Sequence, residues 1–447
     1  MREIEILEAK REEIVKVAQQ LLRYNTVKQP KTLTAPFGQN LADCLDFMLK
    51  LCAEKGGRTQ NFDNYCGHAD FGCGEEIFGM LGHLDVVPAD EDNWISSPFS
   101  ANIINGKIYA RGALDDKTPI LSCLYAILCL QEAGYNFNKR ARLIFGCDEE
   151  SGMECMKYYL TKVAPPTLAI SPDGDFPVIN REKGIMTFEV NCGKLNDDII
   201  SIVGGARSNV VMDKCVAKIK KIDISKMPMT LQFPPVVEIE EKNDCYILTT
   251  KGVSAHGASP QEGENASWKM FATLANWFNE PKLSIVSQHL CDYTGKKWGV
   301  DLSDELSGAL TANIGIVRYD GELKITVNVR HPITYTNKQV TELFMKNDLG
   351  FKITLLGASE PLYVDEKSYL VQKLLSSYKK ATGKEGYTIA IGGGTYSRHF
   401  PNCVAFGPEF PGETAVIHQP NECISIDRIM EMTRIYMEAI KEICCEP

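Results

Sequence analysis

The sequence predicts an α/β protein that carries an inserted α+β domain. Three observations predict it: short apolar strands alternate with helices in the first part of the chain, longer alternating strands begin near Gly184, and the mixture of helix and strand returns after Val364. A chain of 447 residues with 44% apolar residues can bury more than one core. We therefore expect a first domain built from residues 1–182 and 364–447, with residues 183–363 inserted as a second domain.

The first domain is predicted to hold a mostly parallel sheet. Residues 6–24 have apolar positions at helical spacing. The short apolar strands, each followed by a helical segment, lie at 77–81, 142–146 and 167–170. Alternation of this kind is typical of parallel strands joined by helices. After residue 364, a helix at 367–380, a strand at 387–391 and a Gly-rich turn are predicted to complete this domain.

The inserted domain is predicted to be ferredoxin-like. Its predicted elements are a strand at 246–251, a helix at 265–279, a hairpin turning at Asp320 and Gly321, a helix at 337–347 and a strand at 351–357. This order is β-α-β-β-α-β, the order of a ferredoxin-like unit.

Composition indicates a cytoplasmic protein that acts on small solutes. The net charge is -10 and Lys and Arg are scattered, whereas a nucleic-acid-binding protein has a basic patch. The first ten residues are too charged for a signal peptide, and the most apolar segment, 120–130, is too short to cross a membrane. The 16 cysteines lack the regular spacing of a disulfide framework, so we expect reduced thiols.

Side chains that can bind metal follow the predicted strands or precede the helices of the first domain. They are His83, Asp85, Asp115, Asp116, Asp148, Glu149, Glu150, Asp173 and His418. Each group has an ordinary interpretation by itself, as a solvated turn or as the acidic first turn of a helix. The run 148–150 is less ordinary, because adjacent carboxylates repel each other unless a cation or solvent relieves them. Their convergence at strand ends of one sheet, where open α/β sheets bind ligands, indicates a shared site.

The chemistry of this set predicts a pair of catalytic cations. A two-metal hydrolytic site holds its cations about 3.5 to 4 Å apart through a shared carboxylate, and His and carboxylate side chains complete each cation. The set offers nitrogen and oxygen donors only, which suits zinc, manganese or cobalt rather than a Cys-rich structural zinc site.

Ordered motifs along nearly the whole chain support this prediction. They are Gly82-His-Leu-Asp85, Gly112-Ala-Leu-Asp-Asp116, Asp148-Glu-Glu-Ser-Gly152, Ser171-Pro-Asp-Gly174, Ser254-Ala-His-Gly257, Gly392-Gly-Gly-Thr-Tyr-Ser-Arg398, Val404-Ala-Phe-Gly407 and His418-Gln-Pro-Asn-Glu422. Together they resemble the two-zinc metallopeptidase family of aminoacylases, carnosinases and succinyl-diaminopimelate desuccinylases. The last three narrow the resemblance to PepV-like bacterial dipeptidases. The resemblance implies a phosphorylase/hydrolase-like two-metal peptidase domain with a ferredoxin-like lid.

The resemblance also implies roles for the first-domain residues. Asp115 would bridge two metal ions, most simply zinc, with manganese or cobalt as alternatives. His83 and Asp173 would complete one ion, and Glu150 and His418 the other. Two side chains outside the ligand set, Glu149 and Asp85, would act as the general base and as the group that orients His83. The family has a cis peptide after the bridging aspartate, here between Asp115 and Asp116.

The inserted domain would contribute to substrate binding. By resemblance, Asn209 and His256 would stabilise the developing oxyanion, and Arg330 would pair with the substrate carboxylate. The loop that holds Gly393 and Thr395 would approach the same carboxylate through its backbone. Without the resemblance, simpler interpretations hold: Asn209 would lie in a turn, His256 would cap a turn and Arg330 would lie at the edge of a strand.

Hydrolysis of dipeptides or short peptides is therefore the function predicted from sequence. Two alternatives stay open: an N-acyl-amino-acid deacylase that uses the same site, and a metal-binding protein that has lost catalysis. The presence of Glu149 argues against the second. The partners expected are small peptides, with no nucleic acid and no membrane. The large insertion resembles the form in which one chain supplies what other family members obtain by dimerising, so the resemblance implies a monomer.

Overall fold

The chain folds into two compact units. The structure, a computed structural model, describes residues 2–223, 237–347, 349–413 and 416–445. Unit 1 consists of Met1–Asn180, Val364–Ile389 and Thr395–Pro447, and unit 2 of Arg181–Tyr363 and Ala390–Gly394. The assignment of a catalytic role to one unit and a lid role to the other stays a prediction.

The described residues form the following α-helices and strands. The α-helices are α1 (Arg2–Ala9), α2 (Arg11–Leu22), α3 (Gln39–Glu54), α4 (Lys117–Ala133), α5 (Glu154–Lys162), α6 (Ala266–Phe278), α7 (Pro281–His289), α8 (Asn337–Lys346), α9 (Tyr369–Thr382) and α10 (Ile426–Cys444). The strands of the first half are β1 (Arg58–Phe62), β2 (Cys66–Phe71), β3 (Ile77–His83), β4 (Asn102–Ile104), β5 (Lys107–Tyr109), β6 (Arg140–Gly146), β7 (Leu168–Ser171), β8 (Gly174–Asp175), β9 (Val178–Glu182), β10 (Gly184–Gly193), β11 (Ile199–Gly204) and β12 (Lys214–Lys220). The strands of the second half are β13 (Val237–Glu241), β14 (Cys245–Lys251), β15 (Ser303–Asp304), β16 (Gly308–Ala309), β17 (Thr311–Asp320), β18 (Glu322–His331), β19 (Lys352–Ser359), β20 (Leu362–Tyr363), β21 (Thr388–Ile391), β22 (Cys403–Ala405), β23 (Pro408–Glu409) and β24 (Cys423–Ser425).

The main sheet of unit 1 is mixed rather than mostly parallel. Its strand order runs β1-β2-β6-β3-β7-β22-β9. The four central strands, β6 to β22 in that order, are parallel, whereas β1, β2 and β9 join antiparallel. The sequence pattern showed the continuous apolar runs of the parallel centre, which is buried on both faces, but it did not show the antiparallel strands that flank it.

Helix α4 anchors the sheet from one side. It begins directly after Asp116 and ends at Gly134, which takes a left-handed φ of 90°. Its residues are buried nearly all round, and it packs against α10, α1 and β3. The helix predicted at 6–24 is instead two helices, α1 and α2, which are separated at Lys10. The sequence did not show this break because the apolar spacing of a helix continues across it.

The sheet of unit 2 corrects one prediction. Its order is β13-β14-β12-β11-β17-β18-β10-β19. The strand predicted at 246–251 to open the ferredoxin-like unit lies in β14, which pairs with β12 and β13. The predicted hairpin is formed by β17 and β18, and the strand that lies between this hairpin and β19 is β10. The first strand of the ferredoxin-like order is therefore β10 and not β14. Both segments alternate in the sequence, and only pairing distinguishes them.

Candidate metal centre

The parallel strands of unit 1 bring acidic and imidazole side chains to one sheet edge. His83 is the last residue of β3, Glu149 and Glu150 follow β6, and Asp173 follows β7. Strands β6, β3 and β7 are neighbours and parallel, so their carboxyl ends meet. The loop before α4 adds Asp115 to the same cluster, since its carboxylate contacts His83.

Asp115 lies between two histidines. Its Oδ1 is 2.8 Å from Nε2 of His83, and its Oδ2 is 2.9 Å from Nε2 of His418. Each carboxylate oxygen therefore faces a different imidazole, which is the arrangement that a bridging ligand needs. The peptide bond between Asp115 and Asp116 is cis.

The other candidate ligands complete two groups around this carboxylate. Nε2 of His418 is 3.0 Å from Oε1 of Glu150, and Nε2 of His83 is 3.8 Å from Oδ2 of Asp173. Ligand atoms of His83, Asp115 and Glu150 lie within 4.8 Å of one another, as do those of His83, Glu149 and Asp173. The structure thus gathers all five predicted ligands, and Glu149 lies beside two of them.

Asp85 contacts both sides of the cluster. Its backbone carbonyl accepts the Nδ1 hydrogen of His83 at 2.9 Å, while its carboxylate is 3.5 Å from the same nitrogen. That carboxylate instead accepts the backbone N–H groups of Glu149 and Glu150, each at 3.0 Å. Asp85 therefore contacts the His83 ring through its main chain and holds the turn after β6 through its side chain.

Glu422 is a supporting residue that was not selected from the sequence. Its carboxylate is fully buried and accepts the backbone N–H groups of Leu114 at 2.9 Å and Asp115 at 3.3 Å. Nη1 of Arg111 donates to it at 2.6 Å. Burial raises the pKa of Glu422, the nearby Asp115 charge adds to this, and Arg111 and the N–H groups oppose it. The feature of the sequence that could have identified Glu422 is its position as the last residue of the motif that begins with His418.

The electrostatics of the cluster fit bound cations. Burial raises the pKa of Glu149 well above its usual range, and the neighbouring Asp173 adds to this. Burial and the Asp115 charge likewise raise the pKa of Asp173 to about 7. Burial alone would lower the pKa of His418, but its hydrogen bonds to Asp115 and Glu150 raise it to about 11. Cations among these oxygen and nitrogen donors would relieve the repulsion between the carboxylates.

Two of the substrate-binding residues predicted in unit 2 lie beside each other along a short bridge. Val210 pairs antiparallel with His256, and the Gly257 N–H donates to the Asn209 carbonyl at 2.7 Å. Asn209 is half-buried and His256 is exposed.

Arg330 lies on β18 and is held by its neighbours. Its Nε donates to Asn328 Oδ1 at 2.9 Å and its Nη1 to the Gly392 carbonyl at 3.0 Å. Gly393 directly follows this carbonyl in the chain. In unit 1, Thr395 is buried and its hydroxyl accepts the Ser397 N–H at 3.1 Å, which caps a short 3₁₀ helix. The role of Asn328 as the partner of Arg330 was not predicted.

Comparison with known proteins identifies related peptidases. The model of the family described as "Peptidase family M20/M25/M40" matches residues 79–442. A Bacillus subtilis relative named "Putative dipeptidase YtjP" is 35% identical over 467 residues, covering 99% of each chain. A Staphylococcus saprophyticus relative, also named as a dipeptidase, is 33% identical over 454 residues, covering 95% of this chain and 96% of its own.

Solved structures of low identity share the fold. Human carnosine dipeptidase 1 matches with a TM-score of 0.63 at 13% identity, covering 98% of both chains. The di-peptidase Dug1p of Saccharomyces cerevisiae matches with a TM-score of 0.62 at 13% identity, covering 99% of this chain and 98% of its own. At this identity the likeness is evidence for the fold alone.

Proposed function

The chain belongs to peptidase family M20/M25/M40 and is a hydrolase acting on peptide bonds, and from this premise we propose that it is a two-metal dipeptidase. The observation that carries the proposal is the position of Asp115 between His83 and His418, each within 2.9 Å of one of its carboxylate oxygens. The dipeptidase names of relatives that cover nearly the whole chain support the choice of substrate.

The proposed ligands divide into two sets that share Asp115. His83 and Asp173 would hold one divalent cation, and Glu150 and His418 would hold the other. Zinc is the cation we propose, because the donors are imidazole nitrogens and carboxylate oxygens. When bound, such a pair polarises the scissile carbonyl and makes a water molecule more acidic.

Glu149 is proposed as the general base. It would take the proton of the attacking water and pass it to the leaving amine. Its support is its position in the cluster with His83 and Asp173, and the Asp85 carboxylate that holds its backbone N–H at 3.0 Å. A fixed main chain at Glu149 limits the positions that its carboxylate can reach.

Residues of unit 2 are proposed to bind the substrate. His256 and Asn209 would stabilise the negative charge that develops on the carbonyl oxygen, and Arg330 would pair with the free carboxylate of a dipeptide. Gly393 and Thr395 would meet the same carboxylate through their backbone. The bond from Arg330 to Asn328 supports this role, because a fixed guanidinium binds a carboxylate with less loss of side-chain entropy.

The setting is proposed to be a reducing cytoplasm, with the protein as a monomer. All 16 cysteines lie within the described residues and carry free thiols, which supports the first point. Separately, no helix among the described residues combines the length and apolar character that crossing a membrane requires.

A substrate panel tests the function. The purified protein, loaded with zinc or manganese, would be given unmodified dipeptides, tripeptides and N-acetyl amino acids, and the products would be separated by chromatography. We expect dipeptides to give both free amino acids at the highest kcat/KM. A preference for N-acetyl amino acids would identify a deacylase instead, and no turnover of any substrate would contradict the proposal.

A further inference from the structure

A fully buried amide in unit 2 contacts the chain on both sides of Asn209. Asn313 on β17 is 0% exposed, and its Nδ2 donates to the carbonyls of Ser208 at 3.2 Å and Val210 at 3.0 Å. Its Oδ1 accepts a hydrogen bond from Nδ2 of Asn265 at 3.3 Å. Because only the NH₂ end of an amide can donate, these contacts fix the orientation of the Asn313 side chain.

Asn265 connects this amide to the start of helix α6. Its Oδ1 accepts the N–H of Ser267 at 3.1 Å and so caps the helix. Its Nδ2 also donates to the Ile314 carbonyl at 2.7 Å, on the same strand as Asn313. The orientation of Asn313 therefore depends on a helix terminus and a sheet strand, both regular elements.

The segment 208–210 is also enclosed by two glycines. A Cβ at Gly315 would lie 2.2 Å from the Ser208 carbonyl oxygen, and a Cβ at Gly257 would lie 2.9 Å from the Asn209 carbonyl oxygen. The Gly257 N–H donates to that Asn209 oxygen, so the carbonyls of all three residues have hydrogen-bond donors. The backbone of this segment therefore has little freedom to rotate.

We propose that Asn313 is a positioning residue for the peptidase reaction. By holding the carbonyls on either side of Asn209, it fixes the direction of that side chain. Through the pairing of Val210 with His256, it also fixes the histidine. The inference rests on the proposed function, in which both side chains stabilise developing negative charge, and such stabilisation depends on donors that are already oriented.

Substitution of Asn313 tests this role. Asn313→Asp keeps the shape but removes both donors, and Asn313→Ala provides a second variant in case the buried charge prevents folding. The control is Thr250→Val, which removes another fully buried hydrogen bond of unit 2, from the Thr250 hydroxyl to the Ala266 carbonyl at 2.8 Å. We expect the Asn313 variants to lose about 10- to 100-fold in kcat, with a smaller change in KM and unchanged metal content. The control should keep its kcat.

A double-mutant cycle separates positioning from packing. If Asn313 acts through its neighbours, Asn313→Ala should cost little further activity in an Asn209→Ala,His256→Ala background. Hydrogen exchange of the Gly257 N–H should also become faster in Asn313→Ala and not in Thr250→Val. Additive losses in the cycle, or an unchanged exchange rate, would overturn the proposal. Failure of the proposed function would appear separately, because the unmodified protein would then not turn over dipeptides. That result would overturn the proposed effect of Asn313 on catalysis. The exchange rates would still report whether Asn313 fixes the segment 208–210.

Discussion

The buried carboxylate of Glu422 accepts the backbone N–H of Asp115 at 3.3 Å. Because His418 lies four residues before Glu422 in the chain, this bond ties the loop that carries one candidate ligand to the loop that carries another. The backbone strengthens the tie, since the Ala110 N–H donates to the Glu422 carbonyl at 3.1 Å and β24 pairs with β5. The position of Asp115 between His83 and His418 therefore depends on a residue outside the proposed ligand set.

Glu422→Gln should weaken metal binding and lower the free energy of unfolding. The substitution leaves Arg111 buried without its anionic partner, and breaking such a pair typically costs about 3 to 5 kcal/mol. Denaturant unfolding would measure stability, and competition with a chelator would measure metal affinity. The control Glu132→Gln removes a surface ion pair between the exposed Glu132 and the partly exposed Lys10, and it should cost less than about 1 kcal/mol. Wild-type metal affinity in Glu422→Gln would show that the tie does not position Asp115.

Removal of metal should abolish activity, and added divalent metal should restore it. The carboxylates of the cluster lie close together, with Asp115 buried and the others partly buried, so under the proposed function the site would need cations both for its chemistry and for charge balance. Dialysis against a chelator, elemental analysis and titration with zinc, manganese or cobalt would provide the measurements. Full turnover by a preparation shown to be free of metal would refute the two-metal proposal.

Acid should destabilise the protein through His68, away from the metal site. Burial lowers the pKa of His68 to about 4, and the nearby Arg142 adds to this. The unfolded chain binds a proton at this imidazole near pH 6.5, whereas the folded chain binds one only near pH 4. The unfolded state therefore holds more protons within this window, and stability falls as pH is lowered through it, by up to about 3 kcal/mol for this group. His68→Gln should reduce the slope of unfolding free energy against pH between these values, and an identical slope would contradict the prediction.

The positions of the central strands followed from the sequence, whereas their pairing did not. Predicted strands at 77–81 and 142–146 lie within β3 and β6, because runs buried on both faces have few polar interruptions. The hairpin turn at Asp320 and Gly321 was also predicted correctly, because an Asp-Gly pair is typical of such turns. In the structure Gly321 has a φ of 82°, which favours glycine. In contrast, β10 and β14 both alternate, so the sequence could not tell which of them lies beside the hairpin.

The candidate ligands could be predicted because metal sites restrict residue type, whereas supporting residues are less restricted. His83, Asp115 and His418 were selected for their donors, and the structure brings them together. Asn313 reads in the sequence as an ordinary polar residue within a strand. Its importance comes from contacts with Ser208 and Val210, about a hundred positions earlier in the chain.

His256→Ala should keep both metals while turnover falls. The side chain is proposed to donate to the developing oxyanion, and loss of one such donor typically costs about 10²- to 10³-fold in kcat. Metal content and rate would be measured on the same sample. His289→Ala is the matched control, since that imidazole bonds the Lys297 carbonyl on another part of unit 2. Equal turnover by His256→Ala and the control would leave His256 with a structural role only.

Glu149 and Glu150 are adjacent and chemically alike, yet their substitution should have different effects. Glu149→Gln keeps the shape of the side chain but cannot accept a proton, so both metals should remain while kcat falls by about 10²- to 10⁴-fold. Glu150→Gln removes an anionic candidate ligand whose Oε1 is 3.0 Å from Nε2 of His418. One cation should therefore bind more weakly, and excess metal should restore part of the rate. The Asp85 carboxylate holds both backbone N–H groups at 3.0 Å, so the turn itself should survive either change and each variant serves as the control for the other. Because Glu149 also lies within 4.8 Å of ligand atoms of His83 and Asp173, the same measurements test the reverse assignment. Loss of metal in Glu149→Gln, with two metals kept in Glu150→Gln, would exchange the roles assigned to this pair.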